Sequence, residues 1–156
     1  MEKEEKSMTK NTSYLPRSQR FLNAIFTRLV LWGIVPRAHL ISVPGRKSGV
    51  MHITPVFVLK HAGQRWLIAG FEQADWVKNL RTAGWCLLIH DRREERVAVV
   101  EVEDPATRIP LLQAYLRRAP GGSRGFAIKP DASLEEFAAI APYHPVFRVD
   151  EVATTQ

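Results

Sequence analysis

Residues 45–49, Gly-Arg-Lys-Ser-Gly, place two cationic side chains and a hydroxyl between two glycines. Glycine admits the tight turns that let Arg46, Lys47 and Ser48 present donors at one point. Such a cluster suits a phosphate or a carboxylate, because charge-assisted hydrogen bonds are about twice as strong as neutral ones. The Lys-Ser pair does not make a nucleotide P-loop. Arg46 stands where that loop needs the glycine before its lysine, and Ile41 where it needs the upstream glycine. A strand, not a helix, is also expected to follow.

The other reactive side chains form no constellation. His39, His52, His61, His90 and His144 show no metal-ligand spacing, so no metal site is expected. His52 lies close enough to the basic turn to be a site residue or a half-buried strand histidine. Cys86 is the sole cysteine, which excludes an intramolecular disulfide, and between Trp85 and Leu87 it reads as a core thiol. Tyr115 reads as packed on a helix, and Tyr143-His144 sits between two prolines. No catalytic side chain is assigned.

The elements that must position the turn follow from periodicity. Residues 1–14 are polar without period and read as a mobile tail. Over residues 16–35, Leu22, Ile25, Phe26, Leu29 and Trp32 recur at helical spacing, with Pro36 closing the segment. The period then drops to two. Strands are expected over 37–43, 51–60 and 65–71, with Pro55 marking an edge or a bulge in the second. Asp75 is expected to cap a short helix over 76–82 that stops at Gly84. Strands over 85–90 and 96–103 form a hairpin whose charged tip is 91–95. Asp104-Pro105 opens a helix reaching about Arg118, residues 120–133 read as loop, and Ser133 with Glu136 forms a capping box for a helix over 134–140. A last strand is expected over 145–149. The fold class expected is α+β, a small antiparallel barrel with flanking helices, in one domain spanning 15–156.

Composition agrees with that class. The chain has 156 residues, 46 % of them apolar and 24 % charged, enough for one core. Its formal charge is +6, and no Asp or Glu occurs between Glu5 and Glu72. A long acid-free run creates a positive field that meets an anionic partner. The apolar stretch 21–35 has 15 residues and contains Asn23 and Arg28, short of the roughly 20 apolar residues a spanning helix needs. The expected location is cytoplasmic. No recognition helix or stacking pattern points to nucleic acid.

The run ISVPGRKSGVMHITPVFVLKHAGQRWLIAGF, followed by ADWVKNLRTAG, resembles the deazaflavin (F420)-dependent nitroreductase and quinone reductase family of the split β-barrel flavin-binding superfamily. The matching features are the basic turn 45–49, Thr54-Pro55 in the next strand, and Trp76 with Asn79-Leu80 after the third. The resemblance covers about residues 37–105. It implies that Arg46, Lys47 and Ser48 hold the phosphate and oligoglutamate tail of F420. It further implies that His52, Ile53, Thr54, Pro55 and Phe57 line the ring system and ribityl chain. Ala69-Gly70 would pass close to the ring, and Trp76, Val77, Lys78 and Asn79 would close the far side. FMN is the less favoured cofactor. The implied activity is hydride transfer from reduced F420 to a quinone, nitroaromatic or unsaturated acceptor.

The chain departs from the family pattern at several points. His52 and Thr54 stand where nitro-reducing relatives have arginine and asparagine, Phe71-Glu72 where they have a lysine, and residues 121–126 lack their tyrosines. A non-enzymatic member of the same fold, binding a flavin, a haem or a fatty acyl chain, is therefore the competing expectation. The helix over 16–35 has two readings as well. Its apolar face either caps one end of the barrel or lies on anionic lipid at the inner face of the cell membrane. The oligomeric state is expected to be a monomer or a homodimer.

Overall fold

A computed structural model describes residues 38–119 and 125–153. The tail over 1–14 and the helix over 16–35 lie outside the described residues, as does Arg37. Strands β1 (Ala38–Pro44), β2 (Met51–His61), β3 (Gln64–Ile68), β4 (Trp85–His90), β5 (Arg93–Glu101) and β6 (Val146–Glu151) are joined by three α-helices. These are α1 (Asp75–Ala83), α2 (Pro105–Arg118) and α3 (Leu134–Ile140), and a 3-10 turn follows over Ala141–Tyr143. The strands close into an antiparallel barrel in the order β1-β2-β3-β6-β5-β4, with β4 pairing back onto β1. This is the α+β barrel class that the alternation predicts.

Alternation of side chains across each strand builds two cores. Ile41 and Val43, Leu67 and Ala69, Cys86 and Leu88, Val97 and Val99, and Phe147 and Val149 share one cluster that fills the barrel. Burial pushes the Cys86 thiol up to about 12, so it is an inert core group. Val77 and Leu80 of α1 belong to the same cluster, which makes this helix the plug of one barrel end. The opposite faces of β2, β3 and β6 supply Leu59, Trp66, Ile68 and Val146 to a second cluster under α2 and α3, around the fully buried Phe137.

Pro55 lies in a regular register opposite Leu40, so no bulge is needed. Its half of β2 pairs with β1, whereas β3 begins its pairing at Val58. A proline without an N–H is tolerated on such an edge.

Several boundaries differ from the sequence reading. The third strand stops at Ile68, not at residue 71, because its partner begins at Val146 and Pro145 has no N–H to continue the ladder. The hairpin tip contracts to Asp91-Arg92, both with positive φ (49° and 62°), the conformation of two-residue hairpin turns. Arg93, Glu94 and Glu95 thereby join β5, which ends at Glu101 instead of 103. Asp75 does not cap α1: Ala74 holds the cap position without a side-chain bond, and Asp75 is the first helical residue. The last strand covers Val146–Glu151 instead of 145–149.

The remaining caps form as their residues dictate. The Asp104 carboxylate accepts from Ala106 N–H and from the Thr107 hydroxyl at the start of α2. Ser133 and Glu136 exchange the two bonds of a capping box at the start of α3. Arg108 is almost fully buried and ties α2 to its surroundings, donating to the carbonyls of Val102 and Ala141 and to Glu101.

Candidate functional site

The basic turn between β1 and β2 closes on itself. Gly49 N–H donates to Gly45 O at 2.8 Å, Gly45 N–H to Val50 O at 2.8 Å, and Val50 N–H to Ser48 Oγ at 3.2 Å. Gly49 has φ +72°, which a side chain would strain. Arg46 N–H donates to Asn79 Oδ1 at 3.1 Å. The amides of residues 45, 46, 49 and 50 are thus committed within the protein. The turn offers an incoming anion side-chain donors more than a cradle of amides.

Those side chains divide into two roles. Arg46 is held against α1: its Nη1 donates to Asn79 Oδ1 at 2.8 Å and its Nη2 to Asp75 Oδ1 at 3.1 Å. Asn79 is 4 % exposed, so its amide is a fixed post that locks the turn to the helix. Lys47 and Ser48 are exposed. Ser48 Oγ accepts from Val50 and keeps its own hydrogen for an outside acceptor. A methyl group on Gly45 would come within 2.9 Å of His52 Nε2 and 3.0 Å of Ser48 Oγ. Imidazole and hydroxyl therefore both approach the bare Cα of Gly45, where any side chain would collide with them.

An open groove of about 570 Å³ lies along this arrangement. It brings together Arg46, Lys47, Ser48, His52, Ile53, Thr54, Trp76 and Asn79 from the sequence-predicted set. Asp75, Gly45 and Val43 also line it, and Asp75 is its single acid among the described residues. Ile53 is 55 % exposed on the β2 edge and gives the groove an apolar wall. Trp76 packs its ring against Phe147 at 6.2 Å and faces the groove from α1. The arrangement can hold an extended, flat molecule with an anionic end.

The other six predicted residues lie elsewhere. Pro55 is further along β2, and Phe57 packs on Tyr115 at 5.8 Å beneath α2. Val77 is fully buried in the barrel core, and Lys78 follows it on α1, half-buried. Ala69 and Gly70 follow the end of the third strand. Ala69 O accepts from His144 Nδ1 at 3.1 Å, and His144 stacks on Phe126 at 3.9 Å. Burial holds the His144 imidazole below its ordinary value, and burial likewise raises the Tyr115 phenol.

Sequence reading missed Asp75 as a groove residue. The signal lay in spacing: Asp75 and Asn79 are four apart and so share one face of α1, the face that receives Arg46.

No protein-family model matches the chain, and no curated protein matches it. Solved structures do. One described as a domain-swapped dimer superposes with a TM-score of 0.53 at 14 % identity, over 85 % of this chain and 99 % of that one. A pyridoxamine 5'-phosphate oxidase-related, FMN-binding protein from Nostoc punctiforme gives 0.52 at 13 % identity, over 90 % and 82 %. An F420-H2-dependent reductase gives 0.50 at 15 % identity, over 74 % and 95 %. The chain has the split-barrel fold. Likeness at these identities establishes architecture, so function has to be argued from the groove. In this split barrel the groove runs beside the α1 plug, at the end of the barrel where β1 turns into β2.

Proposed function

We propose that the protein is an oxidoreductase that binds coenzyme F420 in the groove and passes a hydride to a quinone, nitroaromatic or unsaturated acceptor. The observation that carries this reading is the junction of a basic corner with an apolar-edged strand in one groove. Lys47 and Ser48 would take the phosphate and the carboxylates of the tail, and His52 would donate beside them. Ile53, Thr54 and Trp76 would flank the flat ring. Arg46, held by Asn79 and Asp75, keeps the turn at a fixed height above α1. The likeness to an F420-H2-dependent reductase and to an FMN-binding protein supports a flavin-type ligand, with F420 preferred for its polyanionic tail.

When bound and reduced, the cofactor supplies the hydride, and a proton from solvent completes reduction of a quinone to the hydroquinone. The chain's part is to bind, orient and exclude water. Mixing the protein anaerobically with reduced F420 and a soluble quinone tests the reading. Return of the oxidised cofactor's visible absorbance, dependent on protein, is the expected result. Saturable binding without turnover would favour the non-enzymatic reading, in which the same groove only carries its ligand.

We further propose a homodimer, supported by the likeness to a domain-swapped dimer. Contact of residues 16–35 with anionic membrane remains a proposal from sequence, tested by liposome sedimentation of the full chain. No helix among the described residues is long and apolar enough to cross a membrane.

A further inference from the structure

A second cavity, of about 400 Å³, lies toward the other end of the β1–β2 ribbon. Four basic residues from four separate elements converge on it: His39 of β1, Lys60 of β2, His90 of β4 and Arg118 at the end of α2. Phe57, Val58 and Leu59 form its floor. Among the described residues, no acid lines it. Sequence places these four basic residues far apart, and only barrel closure gathers them.

The geometry is built, not incidental. His39 and His90 stack with ring centroids 4.2 Å apart and planes 19° from parallel, one step beyond the last β1–β4 pair. Both ring nitrogens of His90 face oxygens, Nδ1 at 3.0 Å from Ala38 O and Nε2 at 3.2 Å from Asp91 Oδ2. Arg118 Nη1 donates to Lys60 O at 2.9 Å, which fixes the guanidinium at the rim. The nearby acids are engaged away from Lys60 and Arg118: Glu95 forms a double hydrogen bond with Arg65 and also attracts His39, and Asp91 faces His90. Among the described residues, no carboxylate lies within ion-pair distance of Lys60 or Arg118.

Lys60 and Arg118 stand beside an apolar floor with no carboxylate at ion-pair distance among the described residues, an arrangement that an incoming anion would complete. We infer that this cavity is a second binding site, specific for a compact amphiphilic carboxylate, with its head between Lys60, Arg118 and the histidine pair and its apolar body on Phe57. The volume falls within the usual range of small-molecule sites, roughly 300–1,000 Å³. Among the described residues the site shares no lining residue with the groove, and it stands whether or not the groove takes F420.

The test uses the full chain and two carboxylates, decanoate and naphthoate, with decanol as the neutral control. Histidine ring resonances are followed by NMR during each titration. Saturable movement of the His39 and His90 signals by either carboxylate, with His52 unmoved, is the expected result. Decanol should move neither at the same concentration. Lys60→Gln and Arg118→Gln, both at exposed positions, should each weaken carboxylate binding at least about fivefold. Equal response to decanol, wild-type affinity in both variants, or no saturable shift would overturn the inference. F420 binding in the groove is read separately from tryptophan fluorescence, so failure of one site is distinguishable from failure of the other.

Discussion

Arg46 reaches Asn79 twice: its backbone N–H and its Nη1 both donate to Asn79 Oδ1, at 3.1 and 2.8 Å. A buried amide thus holds the basic turn and the plug helix as one unit. The cation nearest the helix is spent on architecture, and Lys47 is left exposed.

That division separates two variants. Lys47→Ala should weaken F420 affinity by roughly 1.5–3 kcal/mol, the usual contribution of a hydrogen bond to a charged group, with an unchanged melting midpoint. Asn79→Ala should lower affinity and stability together, the latter by about 1–3 kcal/mol, since a buried acceptor for two donors is lost. Isothermal titration beside thermal unfolding of each variant reads both. A Lys47→Ala protein that binds as the wild type would remove the turn's lysine from the site.

Asp75 is the groove's own anion, 3.1 Å from the guanidinium of Arg46. A phosphate or carboxylate arriving there competes with it. Asp75→Asn should therefore raise affinity for F420 severalfold, with a steeper loss of binding as salt is added, because one more cation faces the ligand. Weaker binding in this variant would mean that Asp75 braces Arg46 instead of competing for it.

Arg108 is a stability residue rather than a ligand contact. Replacing it by alanine strands the Val102 and Ala141 carbonyls and removes one of the two arginines that hold the Glu101 carboxyl below its ordinary range. The expected loss is about 2–3 kcal/mol, read by denaturant unfolding, with groove affinity unchanged.

His144 makes stability depend on pH. Its folded value is depressed by burial, with Arg108 adding to the effect and the Ala69 bond opposing it. As pH falls the unfolded chain takes this proton first, near the ordinary value of 6.5. The site's contribution is therefore complete above that value and lost as pH drops toward the folded one. The melting midpoint should fall between about pH 7.5 and about pH 5.5, and His144→Phe should flatten that fall. An equal slope in the variant would place the dependence elsewhere.

Much of the barrel was legible because period-two alternation and glycine turns are local signals. Strands β1, β2 and β4 lie where the pattern puts them, to within a residue or two at their ends. What escaped depends on partners far along the chain. The charged run 93–95 looks like a hairpin tip until Arg65 donates to Glu95 across the barrel, beside the Arg96 guanidinium that sits 4.0 Å over the Trp85 ring. Asp75 carries the same letter whether it caps a helix or pairs with Arg46, and only the packing of the turn on α1 decides. The His39–His90 stack needs the β1–β4 seam, a pairing across half the barrel's chain that no short window contains.

The most direct measurement is a titration of the full chain with oxidised F420 and, separately, with FMN, followed by tryptophan fluorescence and repeated in Trp76→Phe. The account predicts saturable quenching, tighter for F420 than for FMN, and much reduced in amplitude without the Trp76 indole at the groove. No binding of either, or quenching that survives intact in Trp76→Phe, would contradict the placement of a flavin-type cofactor in this groove.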